Sequence, residues 1–161
     1  MNDYRLYVLM RNDLASMTPG RCMAQASHAS NVLLHEFYSE KKGKLRRKEV
    51  ADWMAQTKQG FGTCIVLSAS LPVIEEIFSE GEMKDWIMKG WVVDPEYGIR
   101  VTHEVAALLQ QNYDADHCNY RFDYDTADEK TVTVFRSEKT CAFVMGTKEE
   151  LEPYLGELPL Y

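Results

Sequence analysis

The sequence predicts an α/β fold, and three observations carry that prediction. Strand-like and helix-like stretches alternate through the first hundred residues, which calls for crossover connections between strands. The strand-like stretches are apolar on successive residues, as expected of strands covered on both faces. Helix-start signals sit at the strand-to-helix junctions.

Taken in order, residues 4–11 (YRLYVLMR) read as a central strand, and Asn12-Asp13 opens a loop that runs to Thr18. Thr18-Pro19 starts a helix, because threonine caps and proline is preorganised at the first helical position. That helix is expected to reach about Glu40, with Cys22, Ala26, Ala29, Leu33 and Phe37 forming one apolar stripe. Small residues in its first turns (Ala24, Ala26, Ser27, Ala29, Ser30) allow a close approach to a sheet. A basic connection, 41–48, is broken by Gly43, and a second helix is expected over 49–58 around Val50, Trp53 and Met54, ended by Gly60-Phe61-Gly62. Residues 63–68 (TCIVLS) form a short apolar strand. A third helix runs from Leu71 to about Lys89, stopped by Gly90, and Trp91-Val92-Val93 is a strand that ends at Asp94-Pro95.

Further on, 101–111 (VTHEVAALLQQ) has helical periodicity and 112–119 is polar and acidic. Residues 120–125 and 131–136 alternate, so 126–130 is expected to be the loop of a hairpin. Residues 140–145 (TCAFVM) form a separate apolar strand closed by Gly146. Thr147 with Glu150 is a capping box for a final helix to about Leu155, and 158–161 ends extended.

The length, 161 residues, suits one domain, and the 45% apolar share is enough for a real core. No apolar run approaches the roughly 20 residues of a spanning helix, so a membrane protein is not expected. Nor does the N-terminus carry a basic stretch followed by an apolar one, so no secretory signal is expected. Cys22, Cys64, Cys118 and Cys141 lie far apart with no CxxC pair, which argues against a zinc ribbon or thioredoxin motif and fits reduced thiols in the cytoplasm. The formal net charge of −7 disfavours a general nucleic-acid binder, yet the charge is unevenly spread. Lys41, Lys42, Lys44, Arg46, Arg47 and Lys48 crowd one window; Asp114, Asp116, Asp123, Asp125, Asp128 and Glu129 crowd another.

The window from Arg11 to His28 is the most informative chemically. A strand-to-helix junction in an open α/β sheet is where ligands dock, and a helix N-terminus offers unpaired N–H groups to a phosphate or oxyanion. Arg21, Gln25 and His28 fall at i, i+4 and i+7, so a cation, an amide and an imidazole share one face. The bland alternative makes Gln25 and His28 partly buried residues bonded to neighbouring backbone. Weaker constellations are a calcium-like Asp123-x-Asp125-x-x-Asp128 run that lacks the loop's glycine and glutamate, a crowded Asp114-Asp116-His117-Cys118 set, and Cys141 with a distant histidine. Trp53, Trp86 and Trp91 lie in apolar patterns and read as core.

The same window resembles the opening motif of the archaeal/eukaryotic-type peptidyl-tRNA hydrolases, the Pth2 family. There an apolar strand ends in Arg-x-Asp-Leu, a Met-Gly-x-Gly-Lys loop follows, and a helix carries Ala-Gln-x-Ser-His-Ala. Here these are Arg11-Asn12-Asp13-Leu14, Met17-Thr18-Pro19-Gly20-Arg21 and Ala24-Gln25-Ala26-Ser27-His28-Ala29. The likeness continues through 62–67, 90–94, 140–146 and 156–160, covering roughly residues 4–98 and 139–161. It implies a three-layer α/β/α fold with a four-stranded mixed sheet, to which residues 99–138 add an inserted helix and β-hairpin within a single domain. It implies hydrolysis of the ester that joins a peptide to the terminal ribose of tRNA, with no cofactor and no metal. Three departures stand out. The family's loop lysine is Arg21, its Asp-Ala-Gly-Arg-Thr-Gln segment survives only at the ends of 94–100, and 99–138 replaces a short loop. The family's threonine before the last strand matches Thr140, or Cys141 if Gly146 is aligned without a gap.

The resemblance thus implies catalytic roles for Arg21, Asp94, Thr140 and His28. Asp94, at the end of its strand, would direct water at the ester carbonyl, or else simply cap the turn before Pro95, and Arg21 with the helix N-terminus would stabilise the developing charge. His28 and Thr140 would place the substrate. Gln25 and the basic run Lys41, Lys42, Lys44, Arg46, Arg47 and Lys48 would bind the tRNA, the alternative for the run being a solvated turn between helices. The alternatives are a catalytically inactive binding or regulatory module on the same fold, whose acidic insertion contacts a protein partner, and, more weakly, a small-ligand enzyme on that fold. Homodimer formation stays open.

Overall fold

The computed structural model describes residues 2–39, 47–80, 86, 88–116, 120–125 and 127–161. The chain order is β1 (Tyr4–Arg11), α1 (Pro19–Tyr38), α2 (Arg47–Met54), β2 (Cys64–Ala69), α3 (Leu71–Glu80), β3 (Met88–Thr102), α4 (His103–Asp116), β4 (Arg121–Asp123), β5 (Thr131–Thr147) and α5 (Lys148–Leu155). Two compact units result, one of Met1–Val92 with Thr140–Tyr161, the other of Val93–Lys139.

The larger unit is an α/β sandwich on a mixed sheet of order β2-β1-β5-β3. β1 pairs in parallel with β2, Val8 opposite Val66, and antiparallel with β5, Val8 opposite Phe143. The unbroken apolar run of β1 has its reason here, since alternate residues feed two cores. Leu6, Val8 and Met10 pack with Cys22, Ala29 and Leu33 of α1, Val50 and Trp53 of α2, and Cys141, Phe143 and Met145 of β5. Tyr7 and Leu9 pack on the other face with Ile74 and Ile77 of α3 and Leu151 and Leu155 of α5. Each fully buried aliphatic side chain of this set contributes about 1.5–3 kcal/mol of transfer free energy. Trp53 and Trp86 are buried, and Trp91 packs against the second core, as the apolar pattern around each tryptophan predicts. Gly90 lets β3 lie against the ring of Phe143, where a Cβ would sit 2.8 Å from ring carbons. The C-terminal residues cover the outer edge of β2, with Ser68 N donating to Pro159 O at 2.8 Å and Tyr161 N to Val66 O at 3.1 Å.

The smaller unit has its own apolar centre of Ala106 from α4 with Val132 and Val134 from β5, flanked by Ile99, Val101, Leu109, Tyr120 and Phe122. β4 pairs antiparallel with β5, Phe122 opposite Val134, so the expected hairpin forms. Asp128 organises its turn, accepting from the N–H groups of Lys130 (2.9 Å) and Thr131 (2.7 Å) and facing Arg100 at 3.3 Å. Of the calcium-like run, Asp123 accepts from Asp125 N at 3.0 Å.

Several boundaries differ from the sequence expectation, among them α2, which spans Arg47–Met54 rather than 49–58, and α4, which spans His103–Asp116 rather than 101–111. α3 ends at Glu80, and Met88-Lys89 already belong to β3. Lys89 Nζ instead donates to Phe78 O at 3.3 Å and lies over the rings of Phe78 and Trp86, a cation at a helix C-terminus. β3 does not stop at Asp94-Pro95 but runs on to Thr102. It stands at the end of the strand order, the place in a sheet where proline is tolerated. Residues 131–136 and 140–145, read as two strands, belong to the single strand β5. Among the described residues no helix is long and apolar enough to cross a membrane.

Candidate active site at the start of α1

The segment between β1 and α1 is held by its own polar side chains. Arg11, the last residue of β1, is 6% exposed, and its guanidinium grips Asp13 through two bonds, Nε to Oδ1 at 2.8 Å and Nη2 to Oδ2 at 2.9 Å. That contact holds the Asp13 carboxyl below the usual carboxylate range, helped by a bond from the backbone of Leu71 at the start of α3. Asn12 ties the same turn to the end of β2, its N to Ala69 O and its Nδ2 to Ser68 Oγ, both at 3.0 Å. The chain then turns at Leu14 to Met17, where Met17 N donates to Leu14 O at 2.9 Å.

Thr18 is the N-cap of α1, accepting from Arg21 N at 3.4 Å, and Pro19 opens the helix, as the sequence predicts. No acidic residue lies in this first turn. Arg21 Nη1 donates back to Ser16 O at 3.1 Å, which fixes the cation beside the positive end of the helix. At Gly20 a Cβ would meet nothing within 4 Å and φ is not positive, so neither packing nor backbone conformation requires glycine.

The i, i+4, i+7 trio does not act as one face. Gln25 turns inward, 3% exposed, while Arg21 is half-buried and His28 is exposed. What the structure brings together is Gln25 and Thr140. The fully buried Thr140 hydroxyl donates to Gln25 Oε1 at 2.7 Å, with Val92 O a more distant acceptor at 3.3 Å. This bond ties α1, one turn beyond Arg21, to β5. Beside it, Cys141 Sγ donates to Gln25 O at 3.6 Å. Burial pushes the Cys141 thiol up to about 12, so it holds its proton near neutrality and lacks the thiolate a nucleophile needs.

Asp94 lies inside β3, in the smaller unit, with Oδ1 accepting from Glu96 N at 3.0 Å. The bond spans the peptide of Pro95 and is an Asx turn. Of the basic run, Lys41, Lys42, Lys44 and Arg46 lie outside the described residues, Arg47 begins α2, and exposed Lys48 pairs with Asp52 at 2.7 Å. His117 and Cys118 also lie outside the described residues, as do the side chains of Asp114 and Asp116. The Arg11–Asp13 ion pair is not among the sequence expectations. An arginine ending an apolar strand with an acid two residues on, and so on the same side of extended backbone, is the signal that marks it.

The sequence matches the family model described as Peptidyl-tRNA hydrolase PTH2 over residues 4–161. The chain belongs to this family. Membership implies peptidyl-tRNA hydrolysis, a carboxylic ester hydrolysis in translation, and peptidyl-tRNA as the substrate. The α/β architecture with its mixed sheet is consistent with the family fold. The match spans both compact units, including 99–138. A search of curated proteins finds no match.

Proposed function

We propose that the ester of peptidyl-tRNA is hydrolysed at the first turn of α1, where Arg21 and the helix N-terminus take up the negative charge that develops on the carbonyl oxygen. One observation carries this reading: a guanidinium tethered to Ser16 O beside a helix start with no acid in its first turn. Fixed donors aimed at a developing oxyanion need no reorganisation during the reaction, which is why they are effective. Arginine stays protonated, so Arg21 acts by charge and hydrogen bonding, and the proton transfers fall to another group. Asp94 is the carboxylate the family likeness offers for that task. It takes a proton from the attacking water as the new C–O bond forms, and the proton passes to the departing ribose oxygen as the ester bond breaks. The exposed His28 supports substrate placement. Thr140 acts as a positioning residue, through its bond to Gln25. The basic residues of 41–48 contact the tRNA backbone, and residues 99–138 are an addition to the family fold. The cytoplasm, where translation produces this substrate, is the compartment that follows.

The test is steady-state hydrolysis of peptidyl-tRNA by folded variants. Arg21→Gln is expected to lower kcat by about 10²–10³, the usual effect of losing one oxyanion donor, and Arg21→Lys to retain part of the rate. Wild-type turnover by Arg21→Gln would remove Arg21 from the scheme, and wild-type turnover by Asp94→Asn would remove Asp94.

A further inference from the structure

We propose that the exposed ridge of α1 is a docking surface for the sugar–phosphate backbone of the tRNA part of the substrate, with His35 and Asn31 as binding residues beyond Arg21 and His28. This rests on the reading that the ester lies at the Arg21 end of the helix. Arg21, His28 and His35 recur every seven residues. At about 100° per residue they lie within roughly 40° of one another around the helix, and at about 1.5 Å per residue they span roughly 21 Å along it. Ala24 and Asn31 lie on the same ridge, and Ala24, His28, Asn31 and His35 are all exposed. The opposite stripe of Cys22, Gln25, Ala29 and Leu33 is buried, so the orientation of the helix is settled by the core and leaves the ridge facing outward.

Charge complementarity identifies the occupant. The chain carries −7, yet residues 19–35 contain no acid, and Glu36 is the first in α1. A long acid-free face holding one fixed cation and two imidazoles is the kind of surface on which a polyanion meets little repulsion. Imidazole N–H groups and the Asn31 amide donate to phosphate oxygens, and such contacts position a nucleic acid without reading its bases. Short side chains at Gly20, Ala24 and Ser27 keep the ridge low between the longer groups. A strand laid along it runs from His35 toward the Arg21 end, so the ridge would give the tRNA its register relative to the ester.

The experiment reverses charge at Asn31, an exposed position where glutamate and lysine are both better helix formers than asparagine. Binding of deacylated tRNA and the KM for peptidyl-tRNA are measured at low salt for Asn31→Glu and Asn31→Lys. Ser79→Glu and Ser79→Lys on the exposed surface of α3 serve as controls. Asn31→Glu is expected to weaken tRNA binding and raise KM roughly fivefold, and Asn31→Lys to tighten both by a similar factor, with kcat unchanged in each. His35→Ala should weaken binding in the same direction. If the Asn31 pair behaves like the Ser79 pair while Arg21→Gln still lowers kcat as expected, the ridge proposal is wrong and the hydrolytic reading stands. If the Asn31 variants shift tRNA binding while Arg21→Gln keeps full turnover, the ridge stands and the role of Arg21 falls.

Discussion

Replacing Thr140 by valine keeps the shape of a fully buried side chain and exchanges its hydroxyl for a methyl group. Gln25, 3% exposed, then loses the donor that meets its Oε1 at 2.7 Å. Losing a donor to a buried acceptor costs about 1–3 kcal/mol, so a central figure of about 2 kcal/mol lowers Tm by about 4–8 °C in a chain of this size. Gln25→Leu should cost less, because Thr140 keeps Val92 O as an acceptor at 3.3 Å. With both polar groups gone, the double variant should recover much of the loss, giving a coupling of about 1–2 kcal/mol in the double-mutant cycle. Urea and thermal unfolding of the four proteins measure this directly. Losses that add to within about 0.5 kcal/mol would mean the pair contributes nothing as a pair. The bond also ties α1, one turn past Arg21, to β5, so Thr140→Val is expected to lower kcat on peptidyl-tRNA by about tenfold, the scale of a small misplacement of a catalytic group. Thr140→Ser, which restores the hydroxyl, should restore both stability and rate. A serine variant that recovers stability but not turnover would give Thr140 a role other than positioning.

Two further outcomes follow from the same segment. Gly20→Ala places a methyl group in open space at a helical position, so it should raise stability by about 0.5–1 kcal/mol while lowering peptidyl-tRNA turnover at least tenfold, if the substrate approaches the bare backbone there; equal turnover would exclude that approach. Asp13→Asn should cost about 2–3 kcal/mol near neutral pH, less than for a fully buried pair because the Asp13 side chain is 34% exposed. The Asp13 carboxyl is held down by Arg11, so its contribution is complete above its unfolded value near 4 and disappears as pH falls through the lower folded value. Acid titrations of stability should therefore show wild type losing more than Asp13→Asn below about pH 4, and parallel curves would deny the pair that role.

By itself the sequence determined what local chemistry controls. The two-faced apolar run of β1, the Thr18-Pro19 start of α1, the capping box at Thr147 and the cluster of unusual residue types between Arg11 and Ala29 each rest on neighbours within a few positions. Such signals survive without knowledge of the rest of the chain, and together they sufficed for the fold class and the family. Tertiary structure alone decided the rest. Where β3 and β5 end depends on a paired strand supplying hydrogen bonds, and no local pattern records that Pro95 lies at the edge of a sheet. The inward turn of Gln25 depends on a hydroxyl 115 residues away, and only the closed core makes that bond worth the burial of both groups.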